Sequence, residues 1–319
     1  MDMAATIETL KAQCPNFEYY YAIVDCAQDD SLYEKIQLSG CQYSALLEAE
    51  ASEELLRVSP HIIELRENAF CSWLLAHGWG RSWAIYIASQ RPIGYLIRHF
   101  KKLSKVTGPQ RQSWFFRYYD PRVCRDLLPI CDASQLNRII GKAGVFWMEG
   151  LDSTTTLKYS WKPSQLECST YLVNGDNQAI KQIIHHPEKG QADDDGDSYV
   201  SVSQSQYDTL KEGAHRNFIL SLIKEVSTRH PDKAKVYSQE QLIRYIEFAL
   251  TQMNELGGHG AHSANYFIEA CFSFGWDFLS NPDYYWVREK FLDNPSMGDP
   301  NKRLKSLFEY CRSQHNKQL

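Results

Sequence analysis

The chain has 319 residues, 43% hydrophobic and 23% charged, with a formal net charge of −5. That size and apolar share suffice for one large or two ordinary folded domains, and the mild negative charge gives no general attraction to nucleic acid or an anionic membrane. No run of about 18 uninterrupted apolar residues occurs, and the opening MDMAATIETLKAQ lacks the basic and apolar regions of a secretory signal, so a cytoplasmic protein is expected.

Nine cysteines stand at 14, 26, 41, 71, 124, 131, 168, 271 and 311. With no CxxC pair and no Cys/His ligand spacing, they read as reduced, mostly buried small hydrophobes. The charge is unevenly spread. From Asp25 to Glu67 ten acids face three bases, a net of −7, whereas from Arg81 to Arg125 ten bases face Asp120 alone, a net of +9. Two readings stay open: the segments fold together and their charges intermix, or a basic face is kept for an acidic partner.

In chain order, the aromatic and β-branched run at 17–27 predicts a strand ending at Asp25, followed by a short helix at 30–37 and a short strand at 42–47. Ser52 opens a short helix that stops at Pro60, and 61–66 is a strand. Asn68 caps a helix that ends at Gly78. The segment 81–89 alternates Trp83, Ile85 and Ile87 with Ser82, Ala84 and Tyr86, which predicts a strand with one well-buried face. At 91–106, Ile93, Leu96, Ile97, Phe100 and Leu103 form one stripe with the bases outside it, an amphipathic helix with a cationic face.

After Gly108-Pro109, residues 111–121 (RQSWFFRYYDP) predict a strand, with Trp114, Phe116 and Tyr118 on one face and Phe115, Arg117 and Tyr119 on the other. Pro121 then starts a helix. Asp120, held out of the α region by the proline, is placed to accept backbone N–H groups of that helix, with Arg122 or Arg125 as its partner. Another short helix is expected at 133–140, and strands at 145–150 and 157–162 flank the turn LDSTTT. Residues 185–206 are polar and acidic and read as a linker; beyond it, 204–229, 238–256, 261–279, 282–292 and 301–314 have helical spacing. The expected fold class is α+β, a mixed α/β N-terminal lobe over 1–184 followed, after the linker, by an all-α lobe over 207–319.

Chemical motifs are sparse. Taking Gly196 of DDDGD as the sixth position of a calcium loop puts Gln191 first and Val202 twelfth, where carboxylates are needed. His259 with His262, and His185 with His186, lack a third ligand fixed by spacing. GxSxG, HExxH, Walker A, the Rossmann glycines and the kinase motifs are all missing, so no catalytic, cofactor or metal residue is assigned and no cofactor is expected. Of the tryptophans, 73, 79, 83, 114 and 147 lie in the first lobe and 276 and 286 in the last; their period favours core packing over base stacking, and any left exposed would anchor a protein partner.

Taken in order, the blocks YYAIVDCAQD (20–29), LLEAEASEELLRVSPHIIEL (46–65), WLLAHGWGRSWAIYI (73–87), FFRYYDPRVCRDLLP (115–129) and WMEG (147–150) resemble the adaptor-chaperone (Tap) family of bacterial type VI secretion systems. Ala49 stands where that family often has glycine. YFIEACFSFGWDFLSNPDYYW (266–286) is similar to the helical extension many members carry. The resemblance implies a cytoplasmic, non-catalytic role: binding a type VI effector and promoting its loading onto the VgrG spike protein. Candidate partner contacts are then Trp79, Arg81, Trp83, Arg117, Tyr119, Arg122, Trp276 and Trp286, with Asp25, Asp120 and Pro121 as a structural joint. The alternatives are an enzyme acting on an acidic or phosphorylated substrate in a basic cleft around Arg81, Arg117, Asp120 and Arg122, and a nucleic-acid binder using the +9 segment, which requires salt-sensitive retention on DNA.

Overall fold

Capping side chains set most of the early element boundaries. The computed structural model describes residues 5–47, 51–190 and 199–315; Ala49 and the DDDGD segment lie outside them. Thr6 accepts the Thr9 N–H at 3.1 Å to open α1 (Ile7–Gln13), which the sequence reading did not anticipate. Then come β1 (Tyr19–Asp25), α2 (Leu32–Gln37), β2 (Tyr43–Ala45), α3 (Glu53–Arg57), β3 (Pro60–Glu64) and α4 (Ala69–Gly78). Ser52 and Asn68 cap as expected, accepting from Leu55 N at 3.3 Å and Cys71 N at 2.8 Å. The chain continues through β4 (Ala84–Ser89), α5 (Ile93–Lys102), β5 (Lys105–Thr107), β6 (Ser113–Phe115), α6 (Pro121–Leu127), α7 (Ala133–Ile139), β7 (Val145–Glu149), β8 (Thr155–Lys162), β9 (Gln165–Leu172), β10 (Lys181–His185) and β11 (Val200–Ser201).

Eight strands form one antiparallel sheet in the order β10-β9-β8-β7-β4-β1-β3-β2, and β11, β5 and β6 form a small second sheet. The period of two along each central strand divides the apolar side chains between two cores. Tyr21, Ile23, Ile62, Ile85, Ile87, Phe146 and Met148 enter a core shared with α5, α6, α7 and the small sheet. Ala22, Val24, Ile63, Ala84, Tyr86, Ala88, Val145 and Trp147 enter the opposite core, shared with α1, α2 and α4. This double cover corrects the one-faced reading of 81–89: every residue of β4 is buried, because the strand lies in the middle of the sheet.

A second correction concerns 111–121. Only Ser113–Phe115 is strand; Phe116 N still donates to Ser104 O at 2.9 Å, and the chain then turns, with Asp120 N donating to Arg117 O at 3.0 Å. Phe116, Tyr118 and Tyr119 are all buried, so the expected alternation of faces ends with the strand.

The residues divide into two compact units, Met1–Ala214 and His215–Leu319. Of the segment expected as a linker, His185 closes β10, Val200 and Ser201 pair in parallel with Val106 and Thr107, and α8 (Gln204–Arg229) opens at Gln204. The second unit is helical: the rest of α8, then α9 (Pro231–Ala234), α10 (Gln239–Glu255), α11 (Gly260–Phe274), α12 (Tyr285–Val287) with a π turn over Arg288–Leu292, and α13 (Pro300–His315). The helix expected over 261–279 stops at Phe274 because Gly275 takes a φ of +106°. Its core joins Leu222, Val226, Ile246, Phe267, Phe278, Val287 and Leu307. The chain thus has a sheet-rich N-terminal lobe followed by an all-helical region.

Candidate functional site

At one end of the large sheet, four segments distant in sequence meet through charged and polar groups: the end of β1, the α4–β4 loop, the turn between β6 and α6, and the end of β7. Asp25, the last residue of β1 and 1% exposed, accepts from Ala27 N at 3.2 Å and Gln28 Nε2 at 2.7 Å, and pairs with Arg117 Nη2. Its own N–H donates to Trp83 O at 2.8 Å. Asp120 caps α6: Oδ1 accepts from Arg122 N and Nε, each at 2.9 Å, and Oδ2 accepts from Arg122 Nη2 at 2.8 Å. Arg117 Nη2 lies 3.8 Å from the same Oδ2, which links the two carboxylates through one guanidinium. Pro121 occupies the first turn, where its missing N–H costs nothing.

Glu149 completes the corner from β7. Its carboxylate accepts from Gly80 N at 2.6 Å, Ser82 N at 3.0 Å and Ser82 Oγ at 2.8 Å. Gly80 (φ +75°) and Ser82 (φ +57°) both hold left-handed backbone, a conformation costly for serine, and these bonds pin the loop in it. Burial raises the Glu149 carboxyl above its ordinary value, while the Ser82 and Gly80 hydrogen bonds and the nearby Arg125 charge pull the other way. Arg125 Nη1 donates to the carbonyls of Glu149 at 3.1 Å and Gly150 at 2.7 Å. Asp25, Asp120, Pro121, Arg117 and Arg122 are therefore brought together as one joint. Glu149, Ser82 and Arg125 belong to it as well; the sequence held only the Asp-Pro cap as a local signal, and the links that join the four segments span 24 to 92 positions.

The other candidates separate. Trp79, Trp83 and Tyr119 are 7%, 4% and 3% exposed and offer little surface. Trp79 lies with its ring tilted 5.1 Å from that of Trp147 and donates Nε1 to Ser153 O at 2.8 Å. Arg81 is exposed, its guanidinium 5.7 Å from the Trp83 ring. Trp73 on α4, which was not among the candidates, is only partly buried and carries the Lys35 ammonium 4.8 Å from its ring. In the second unit Trp276 stacks on Tyr245 at 5.2 Å, and Trp286 meets Tyr310 edge-on at 5.5 Å; both are half-buried.

Chemically, the joint consists of carboxylates each held by guanidinium or backbone donors, an arrangement that fixes loops. Arg117 and Arg122 answer Asp25 and Asp120, so the basic cleft of the enzyme reading is here a set of ion pairs. The two His pairs stay apart in role: His259 precedes α11 as its capping position, His262 stacks on Tyr266 at 6.4 Å, and His185 ends β10. All nine cysteines are buried and unlinked. No helix of the described residues is long and apolar enough to cross a membrane.

No curated protein and no solved structure matches the chain. A family model described as Domain of unknown function (DUF4123) matches residues 20–138, from β1 into α7, and so contains the joint except for Glu149. The match covers residues 20–138 of the 319, and the family it describes is known as the effector-loading Tap adaptor domain of type VI secretion.

Proposed function

We propose that this protein is a non-catalytic cytoplasmic adaptor that binds a type VI effector and promotes its loading onto VgrG. The observation that carries the reading is the adaptor-family match over residues 20–138. The joint supports it physically: its charges close on one another and hold the α4–β4 and β6–α6 loops rigid, which suits a preorganised docking surface. Contact groups remain outside the joint. Arg81 is exposed beside it, and the outer face of α5 presents Arg98 and Lys102 to solvent, with exposed Arg91 just before the helix, a cationic surface suited to steering an acidic partner. In the helical unit, Trp276 and Trp286 keep part of their rings accessible.

The test is co-purification of the tagged full-length protein from cells that also express the effector and VgrG of its own gene neighbourhood. Retention of the effector after a salt wash, with VgrG joining only when the effector is present, is the expected outcome. A protein that elutes alone while both are abundant in the lysate overturns the reading.

A further inference from the structure

Two of the nine thiols meet in the core shared with α1, α2 and α4. Cys41, just before β2, and Cys71, in the first turn of α4, bring their sulfurs to 3.7 Å although 30 positions separate them. Other cysteines face different groups: Cys26 Sγ lies 3.4 Å from His61 Nδ1, and Cys124 Sγ donates to Tyr118 O at 2.9 Å. Cys71 has no exposed surface, whereas Cys41 is 8% exposed. Asn68 holds the two in place. Its Oδ1 accepts from Cys71 N at 2.8 Å, and its Nδ2 donates to Cys41 Sγ and to Ser39 O, each at 3.1 Å. One side chain thus caps the helix that carries one thiol and fastens the loop that carries the other. That loop has room to adjust, because Gly40, at a φ of +68°, has open space where a side chain would stand.

We propose that Cys41 and Cys71 are a redox-modifiable dithiol, which hydrogen peroxide converts into an intramolecular disulfide without unfolding the protein. Cys41 reacts first, because it alone of the two reaches the surface. Its sulfur attacks one peroxide oxygen, the O–O bond breaks, and the departing hydroxide leaves as water with the Cys41 proton, which yields a sulfenic acid. The Cys71 sulfur then attacks the Cys41 sulfur: the S–S bond forms, the S–O bond breaks, and the second hydroxide takes the Cys71 proton as water. Two electrons pass from the two sulfurs to the peroxide, and the products are one disulfide and two waters. Burial pushes the Cys71 thiol up to about 12, with the Arg66 N–H pulling the other way at 3.5 Å. Cys71 therefore keeps its proton at neutral pH and suits the resolving step, where hydroxide is released beside it. From 3.7 Å the sulfurs must approach by about 1.7 Å to reach a bond of about 2 Å, a movement that the two side chains and the Gly40 loop share. The bridge would tie the loop that bears exposed Leu38 to the helix that bears Trp73, and these two residues line one hollow. The inference does not depend on the adaptor reading.

The test treats the reduced full-length protein with hydrogen peroxide at neutral pH, alkylates the remaining thiols in denaturant, and maps the digest by mass spectrometry. A peptide pair linked through 41 and 71 is expected, with the other cysteines alkylated. Because the bridge closes a long loop in the unfolded chain, the thermal midpoint should rise by about 5 °C, and dithiothreitol should reverse the rise. Cys41→Ala should abolish the linked peptide and leave Cys71 alkylated. Cys71→Ala should instead leave Cys41 as a sulfenic acid that dimedone traps. If either variant loses its thermal transition, the map of the unsubstituted protein decides alone. Absence of the 41–71 link overturns the inference, as does a spread of pairings equal to that of protein oxidised in urea, or a bridge that lowers the midpoint.

Discussion

Arg122 and Arg81 lie in the same basic run of the sequence, yet the structure gives them opposite surroundings. Arg122 makes three hydrogen bonds to Asp120, whose side chain is 4% exposed, while Arg81 is exposed, its guanidinium 5.7 Å from the Trp83 ring and its charge acting on Asp29. Arg122→Glu would set two carboxylates side by side at the α6 cap, and the loss should be about 2–4 kcal/mol, seen as a lower thermal midpoint and a poor soluble yield. Arg81→Glu should change stability by less than about 1 kcal/mol and weaken effector capture in the pull-down. Equal thermal midpoints for the two variants would refute this division. A pH effect arises from two imidazoles, His61, which is buried, and His99, which is partly buried. His61 Nδ1 lies 3.0 Å from Ser59 O and His99 Nε2 lies 3.1 Å from Ile139 O; burial lowers both below the ordinary 6.5, with Lys142 adding to the shift at His99. Their depressed values mean that the unfolded chain takes up protons first, so stability present above about pH 6.5 is lost as pH falls through the folded values. Urea denaturation from pH 8 to 5 should show this decline, and His99→Gln, which keeps a donor toward Ile139, should flatten it; identical slopes would exclude His99 as a source.

Among the elements, α1 packs Ile7 and Leu10 against the sheet and is also tied to it by the polar residue Gln13. Gln13, 2% exposed, accepts from Trp147 Nε1 at 2.8 Å and Thr156 Oγ1 at 2.6 Å through Oε1, and its carbonyl accepts from Lys158 Nζ at 3.1 Å. Gln13→Ala leaves two buried donors without an acceptor, at about 1–3 kcal/mol each, whereas Leu38→Ala, at 86% exposure, should be nearly silent; comparable losses in the two would show that the staple is unimportant. This staple also marks what the sequence could convey. Asn68, Ser52 and Asp120 announced their helices because capping is local, and the alternation in 81–89 announced a strand because β-branched residues mark it. β9 went unread: QLECSTYL mixes acid, thiol and hydroxyl groups, and its strand character comes from pairing with β8 and β10. The aromatic density of 113–119 suggested a long strand, but packing of Phe116, Tyr118 and Tyr119 into the core decided for a turn, and Arg117 left the strand for Asp25, 92 positions away. A pairing at that separation has no periodic trace, so the joint was legible at its cap and hidden at its ion pairs.

Over the whole molecule, the division falls within α8 and not in the polar stretch before it. Leu210 packs against the core of the first unit and Tyr207 lies 5.0 Å from Trp114, while Ile219, Leu222 and Val226 belong to the core of the second. The helix thus supplies apolar residues to two separate cores, and a cut at the polar segment near 190 would strip the first unit of Val200, Val202 and the first turns of α8. Fragments that overlap across those turns preserve each core: 1–214 keeps both faces of the sheet covered, and 203–319 keeps every buried residue of the helical cluster. Each should unfold as one cooperative transition in denaturant, with a slope that scales with the surface it buries. A fragment 1–190 should lose several kcal/mol relative to 1–214, since Val200 and Val202 alone are buried aliphatic side chains of about 1.5–3 kcal/mol each. Equal stability of 1–190 and 1–214 would show that β11 and the start of α8 only decorate the first unit. With cooperative folding of both fragments established, the same pull-down run on each would assign effector and VgrG to a unit without disturbing either core.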